Sequence, residues 1–215
     1  MAVPKRVVVV DDQAVIRKLL TDILNSSPLL TVVGEAADPL IARDEIKRLN
    51  PDVITLDIEM PRMDGLTFLK NLMRLRPMPV VMISTLTERG APATLEALEL
   101  GAVDYVAKPT QDLQANLKAY SEELISKVVT AANANVRQLK PEKIKNSQSA
   151  ISTGVSYKTQ HLLAIGASTG GTEAIKEVLL DMPEDCPPIV ITQHIPPVFS
   201  TSYAMRLDSC CAMNV

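Results

Sequence analysis

Five times within the first 130 residues, a short apolar run rich in β-branched residues gives way to a longer stretch whose apolar residues recur at helical spacing. Such alternation leaves few folds open. Strands that each hand over to a helix must run the same way, so the sheet is parallel, its crossovers are right-handed, and helices cover both faces. Arg6-Val7-Val8-Val9-Val10 is the first run, and Val15, Leu19, Leu20, Ile23 and Leu24 mark the apolar side of the helix that follows. A strand near Thr31-Val32-Val33-Gly34 leads to Asp38-Pro39, an N-cap before an N1 proline, and to a helix with Ile41, Ile46 and Leu49 inward. Val53-Ile54-Thr55-Leu56-Asp57 is the third strand. The Met60-Pro61 and Asp64-Gly65 pairs then turn the chain into a helix carrying Leu66, Leu69, Leu72 and Met73. Pro79 to Ser84 is the fourth strand, and a helix from Thr94 to Leu100 is stopped by Gly101. Asp104 to Pro109 is the fifth, and a last helix runs from Gln111 to about Val129. The expected fold class is α/β, with a five-stranded doubly wound parallel sheet over residues 5–130.

Each strand of such a sheet ends at the same edge, which is where ligands bind in open α/β sheets. Asp11 and Asp12, Asp57, Ser84 and Lys108 all fall at strand ends. Three carboxylates around one point repel unless a cation neutralises them, and a hard all-oxygen site of that charge suits Mg²⁺. A carboxylate so held can act as a nucleophile toward a phosphoryl group and form an acyl phosphate. Asp57, which has a strand end to itself, is the expected nucleophile. Lys108 would balance the phosphoryl charge, and Ser84 would donate a hydrogen bond to an oxygen that arrives with it.

Together Asp11-Asp12, Asp57 with Met60-Pro61 and Asp64-Gly65, Ser84, Tyr105 and Lys108-Pro109 resemble the receiver domain of two-component response regulators, a flavodoxin-like fold. The resemblance implies that Mg²⁺ is held by Asp12 and Asp57 with the backbone carbonyl of Glu59, beside Asp11, and that Asp57 is phosphorylated by a histidine kinase. It also implies that Ser84 and Tyr105 are the switch pair and that the Lys108-Pro109 peptide is cis.

Residues 131–158 change character, with Asn, Gln, Lys and Ser outnumbering isolated apolar residues, and read as a polar linker. Residues 159–215 begin a second α/β domain. His161-Leu162-Leu163-Ala164-Ile165-Gly166-Ala167 is expected as a buried strand; Ser168-Thr169-Gly170-Gly171 turns it into a helix with Ile175, Val178, Leu179 and Met182; and Ile189 to Gln193 is a further strand ending at His194. Ser168 lies at a strand-to-helix turn, where the N–H groups of Thr169 and Gly170 and the helix dipole favour a developing oxyanion. Neighbouring parallel strands are about 4.8 Å apart, which brings His194 within reach of Ser168. Gly166-Ala167-Ser168-Thr169-Gly170 satisfies the G-x-S-x-G nucleophile pattern, while its glycines also suit a dinucleotide-binding turn. The latter wants an acid near the end of the next strand, and this one ends in Gln193-His194.

The receiver motifs, the linker, and then Ala164 to Thr172 with Gln193-His194-Ile195-Pro196-Pro197 resemble the CheB family of chemotaxis protein-glutamate methylesterases. That family resemblance implies a phosphorylation-activated enzyme that demethylates glutamyl methyl esters, and deamidates specific glutamines, on methyl-accepting chemoreceptors. Ser168 would be the nucleophile and His194 the general base, with the chemotaxis histidine kinase as phosphodonor and the unphosphorylated receiver covering the catalytic site. The family's third triad residue, an aspartate far downstream, has no match here: after His194 the only carboxylate is Asp208, on an apparent helix. The catalytic part, with two strands and the start of a third, is therefore expected to be a truncated, marginally folded Rossmann-like domain. An alternative is that the chain is an inactive phosphoacceptor that competes for kinase phosphate.

Composition narrows the rest. A net charge of −3 and the lack of a basic recognition helix argue against nucleic acid as a partner. No apolar run approaches the roughly 20 residues of a bilayer span, and Met1 to Arg6 lead directly into a strand, so a cytoplasmic protein with no membrane insertion is expected. Cys186, Cys210 and Cys211 lack metal-ligand spacing and are read as free thiols.

Overall fold

The computed structural model describes residues 3–85, 90–108, 113–136 and 161–215. Pro109 and most of the linker read over 131–158 lie outside the described residues, as do the first residues of the second domain. The chain divides into two compact units, residues 1–139 and 140–215.

In the first unit, five strands alternate with five helices: β1 (Lys5–Val10), α1 (Ala14–Asn25), β2 (Leu30–Ala36), α2 (Pro39–Leu49), β3 (Val53–Asp57), α3 (Gly65–Leu75), β4 (Val80–Ser84), α4 (Ala91–Glu99), β5 (Asp104–Ala107) and α5 (Leu113–Ala132). All pairings are parallel and the order is β2-β1-β3-β4-β5, the doubly wound, flavodoxin-like arrangement expected. On one face Val7, Val9, Val53, Val81, Ile83 and Val106 pack with Leu20, Ile23 and Leu24 of α1 and Leu124 and Val128 of α5. Residues of the other parity, Val8, Val10, Ile54, Leu56 and Met82, are equally buried. Burial on both faces is why these strands read as continuous apolar runs rather than alternating ones.

The helix stripes are narrower than their periodicity suggested. Val15 is 79% exposed and Ile41 45% exposed, because each lies in the opening turn of its helix, beyond the part that rests on the sheet. Helix α2 starts as expected: the Asp38 carboxylate accepts hydrogen bonds from the N–H groups of Leu40 and Ile41, and Pro39 follows it. Asp38→Ala should cost about 1 kcal/mol of receiver stability, the usual value of an N-cap, read as a lower urea midpoint at unchanged slope.

The second unit contains β6 (Leu163–Ala167), α6 (Gly171–Leu180), β7 (Ile189–Gln193) and α7 (Pro197–Cys210). Phe199, Tyr203 and Leu207 of α7 are buried with Ile175 and Leu179 of α6, and the Tyr203 hydroxyl donates to the Thr172 carbonyl at 2.9 Å. Two expectations fail here. Neither strand is buried: β6 and β7 alternate between partly covered and exposed residues, and Val190 is 52% exposed. Among the described residues no third strand starts, since Cys211–Val215 forms none. An apolar run by itself does not say how many faces of its sheet are covered. Val178 of α6, read as inward, is likewise half exposed. No described helix is long and apolar enough to cross a membrane.

Candidate functional site

Strand register gathers the polar residues of the first unit. Val10 pairs with Leu56, so Asp11 and Asp57 are the next residues on neighbouring strands, side by side. Asp57 is level with Ile83, and Ser84 with Ala107, which places Ser84 and Lys108 one step further along the same edge. Asp11 and Asp57 are essentially inaccessible to solvent. Oxygen atoms of Asp11, Asp12 and Asp57 lie within 4.8 Å of one another. Lys108 Nζ is 2.7 Å from Asp57 Oδ2 and 3.4 Å from Asp11 Oδ2.

Burial dominates the charge balance. It pushes the Asp57 carboxyl up to about 6 against the pull of the Lys108 hydrogen bond, and it raises Asp11 as well, against the Gln13 N–H and Lys108. Burial also weakens the Lys108 ammonium, but its bonds and charge pairing with Asp57 and Asp11 outweigh that and hold its pKa above the usual lysine value. One ammonium thus serves two buried carboxylates. Asp12 Oδ1 is buried and accepts no hydrogen bond among the described residues, and Asp11 Oδ2 has only the long 3.4 Å ion pair with the shared Lys108. A buried carboxylate oxygen left this way is costly. The residues present therefore fit a hard divalent cation, whose oxygen ligands these three side chains supply.

Glu59 stands apart from that cluster. Its side chain is exposed and accepts a long 3.4 Å bond from the Thr85 hydroxyl, while its N–H donates to Asp57 Oδ1 at 3.3 Å. Tyr105 is buried, with its phenol pushed up by desolvation and then by Asp104 and Glu123. Lys127 Nζ donates to the Tyr105 carbonyl at 2.8 Å and lies 5.0 Å from its ring centroid. A cavity of about 570 Å³ opens beside the cluster, lined in part by Ile58, Met60, Pro61, Asp64 and Ala93.

Two positioning groups escaped the sequence reading. Arg17, on α1, donates to the Asp11 carbonyl at 2.7 Å and the Asp12 carbonyl at 3.1 Å, pinning the acidic loop from behind. Gly65 presses its Cα on the Asp57 backbone, where any Cβ would collide. An arginine five residues after an acidic pair, and a glycine after aspartate, are too common to carry that meaning in sequence alone.

In the second unit Ala167 pairs with Gln193, so Ser168 and His194 leave the same edge, and the His194 N–H extends the ladder to the Ala167 carbonyl at 3.2 Å. Both are exposed. Gly170 has φ +72°, a left-handed conformation that favours glycine, and the Gly171 N–H closes the turn on the Ser168 carbonyl at 2.8 Å. The N–H groups of Thr169 and Gly170 have no hydrogen-bond acceptor among the described residues, which leaves them available to an oxyanion. No hydrogen bond joins the Ser168 hydroxyl to His194. Gln193 instead ties the two turns, donating to the carbonyls of Ser168 (3.0 Å) and His194 (3.2 Å). Asp208 accepts from the Val215 N–H at 2.9 Å and is not a partner of His194.

Comparison with known proteins agrees with this division. The family of response regulator receiver domains matches residues 7–120, and the CheB methylesterase family matches residues 163–215. A protein-glutamate methylesterase/protein-glutamine glutaminase of Xanthomonas campestris pv. campestris is 58% identical, over 99% of this chain and 61% of the relative. One from Nitrosomonas europaea is 54% identical, over 97% and 60%. The chain thus spans about three fifths of the length of these relatives. Among solved structures, the response regulator domain of Thermotoga maritima CheB is 44% identical with a TM-score of 0.56, covering 62% of this chain and 99% of that one.

Proposed function

Since this chain belongs to the response regulator receiver family by its first unit, we propose that Asp57 accepts a phosphoryl group from a chemotaxis histidine kinase. We further propose that the second unit contributes Ser168 and His194 to a protein-glutamate methylesterase switched on by that event. The observation that carries the first part is the single sheet edge on which Lys108 meets Asp57 at 2.7 Å among three clustered carboxylates.

An Asp57 carboxylate oxygen attacks the phosphorus of the donor's phosphohistidine. The P–N bond breaks, the imidazole leaves, and an aspartyl phosphate forms. Asp11, Asp12 and Asp57, with the carbonyl of Glu59, would hold Mg²⁺, whose positive charge would keep Asp57 ionised and offset the incoming oxygens. Lys108 then transfers its hydrogen bond from Asp57 to a phosphoryl oxygen, and Ser84 donates to another. Tyr105 reports the change from its position on β5.

In the second unit Ser168 Oγ attacks the ester carbonyl of a methylated glutamate on a methyl-accepting chemoreceptor, and His194 takes its proton. The Thr169 and Gly170 N–H groups receive the oxyanion, methanol leaves carrying a proton from His194, and water releases the carboxylate. With glutamine the leaving group is ammonia. A second reading, that these 215 residues act only as a phosphoacceptor competing for kinase phosphate, is favoured by the missing Ser168–His194 hydrogen bond and the partly uncovered β6 and β7.

The test is methanol release from methylated chemoreceptor membranes by this chain, with and without a small phosphodonor and Mg²⁺. The expected result is phosphoryl uptake at Asp57 together with release that rises with phosphodonor and disappears in Ser168→Ala. Uptake without release establishes the second reading, and absence of uptake overturns both.

A further inference from the structure

Ser84 and Thr94 form a buried hydroxyl pair that the chemistry above leaves unexplained. Ser84 is 1% exposed and Thr94, on α4, is 0% exposed. Their oxygens are 2.7 Å apart. Thr94 Oγ1 is also 3.1 Å from the Gly90 carbonyl, and Ser84 Oγ is 3.4 Å from the Thr85 carbonyl. Carbonyls only accept, and each hydroxyl has one proton, so the chain has two proton orders. In one, Ser84 donates to Thr94 and Thr94 to Gly90; in the other, Thr94 donates to Ser84 and Ser84 to Thr85. The first ends on the shorter bond and is the resting order. Ser84's only proton is then committed to α4 and is not available to an anion at Asp57.

We propose that Thr94 is a positioning residue for the Ser84 hydroxyl. At rest it holds the Ser84 proton. When a phosphoryl group forms on Asp57, Thr94 turns its own proton from the Gly90 carbonyl to Ser84 Oγ, and Ser84 donates to the phosphoryl oxygen. No covalent bond changes; two protons reorient, and the Gly90 carbonyl gives up the Thr94 hydroxyl while keeping the helical bond from the Thr94 N–H at 3.0 Å. Because that carbonyl lies at the N-cap of α4, phosphorylation loosens the start of this helix by one hydrogen bond. The inference rests on Asp57 being the phosphoacceptor and deepens it: a residue on α4 sets how readily the phosphorylated state is reached.

The test uses the 215-residue chain with Mg²⁺ and beryllofluoride as the phosphoryl mimic, titrated by calorimetry. Thr94→Val keeps the side-chain shape but removes the hydroxyl. It frees the Ser84 proton and spares the bond lost at Gly90, so beryllofluoride should bind about fivefold tighter, the equivalent of one ordinary hydrogen bond. Thr94→Ser, which retains the hydroxyl, should bind as the unaltered chain does. In a Ser84→Ala background Thr94→Val should have no effect, since the two positions act through one bond. A role for Thr94 in packing alone would shift affinity equally in both backgrounds, and that result, or unchanged or weaker binding by Thr94→Val, overturns the inference. If the unaltered chain binds no beryllofluoride, or Asp57→Asn binds it as well, the phosphoacceptor reading itself fails and the inference with it.

Discussion

Asp57→Asn is expected to abolish phosphoryl uptake and, in magnesium-free buffer at neutral pH, to make the receiver more stable than the unaltered chain. The two effects share one cause. Asp57 is held at the edge of β3 in a buried site that pushes its carboxyl from 3.8 up to about 6. A carboxyl whose folded-state pKa is raised favours the folded state while protonated, and that contribution is lost as pH rises through the folded value. The penalty is therefore absent below pH 3.8 and complete above about 6. A shift of this size is worth about 3 kcal/mol in full, and losing the charge that Lys108 pairs with gives part of it back. A net gain of about 1 to 2 kcal/mol for Asp57→Asn is the expected result. Thermal melts across that pH range check it: the variant's advantage should vanish in acid and grow toward neutrality. Mg²⁺ should reverse the order by stabilising only the chain that keeps its cluster. A variant less stable than the unaltered chain at neutral pH without Mg²⁺ would show that the cluster is not strained.

Gly65→Ala should be damaging even though it replaces a poor helix former by the best one at the first residue of α3. Propensity alone assigns it a gain approaching 1 kcal/mol. The tertiary structure reverses the sign. A Cβ at this position would strike the Asp57 carbonyl oxygen and stand 2.9 Å from Ile58 Cα and 3.0 Å from the Asp57 carbonyl carbon. These are backbone atoms and cannot rotate away, and the Gly65 N–H is tied to the Ile58 carbonyl at 2.9 Å. Either α3 retreats or the end of β3 moves, and both displace Asp57 from Lys108. Overpacking of this kind costs about 3 kcal/mol, and phosphoryl uptake should fall by about tenfold or more because Asp57 no longer sits in its cluster. Urea unfolding and initial rates of uptake from a small phosphodonor measure the two losses separately. Full stability with full uptake would mean that the approach of α3 to Asp57 is not tight.

Much of the receiver was legible beforehand because its signals are local. Val53 to Leu56 and Val80 to Ile83 are apolar or β-branched throughout, since the strands are covered on both faces, and Asp38-Pro39 marks a helix start by a hydrogen bond within one turn. Even the convergence of Asp11, Asp57, Ser84 and Lys108 on one edge follows from parallel direction alone. The second unit read less well. Leu163 to Ala167 is as apolar as a buried strand, yet its burial depends on how many neighbours cover it, which no stretch of its own residues records.

The sequence by itself determined the order of strands and helices, the doubly wound class, the acidic edge with its lysine, and the serine and histidine that leave one edge of β6 and β7. Only the tertiary structure decided that Arg17 pins the acidic loop, that the Thr94 hydroxyl meets that of Ser84, that Gly65 must lack a side chain, and that Ser168 and His194 share an edge without sharing a hydrogen bond. The division has a physical basis. Periods of 2.0 and 3.6 residues write the faces of strands and helices into the order of residues, but a hydrogen bond between side chains on different elements is settled within a few tenths of an ångström by register, rotamer and close approach, all of which exist only once the elements have packed.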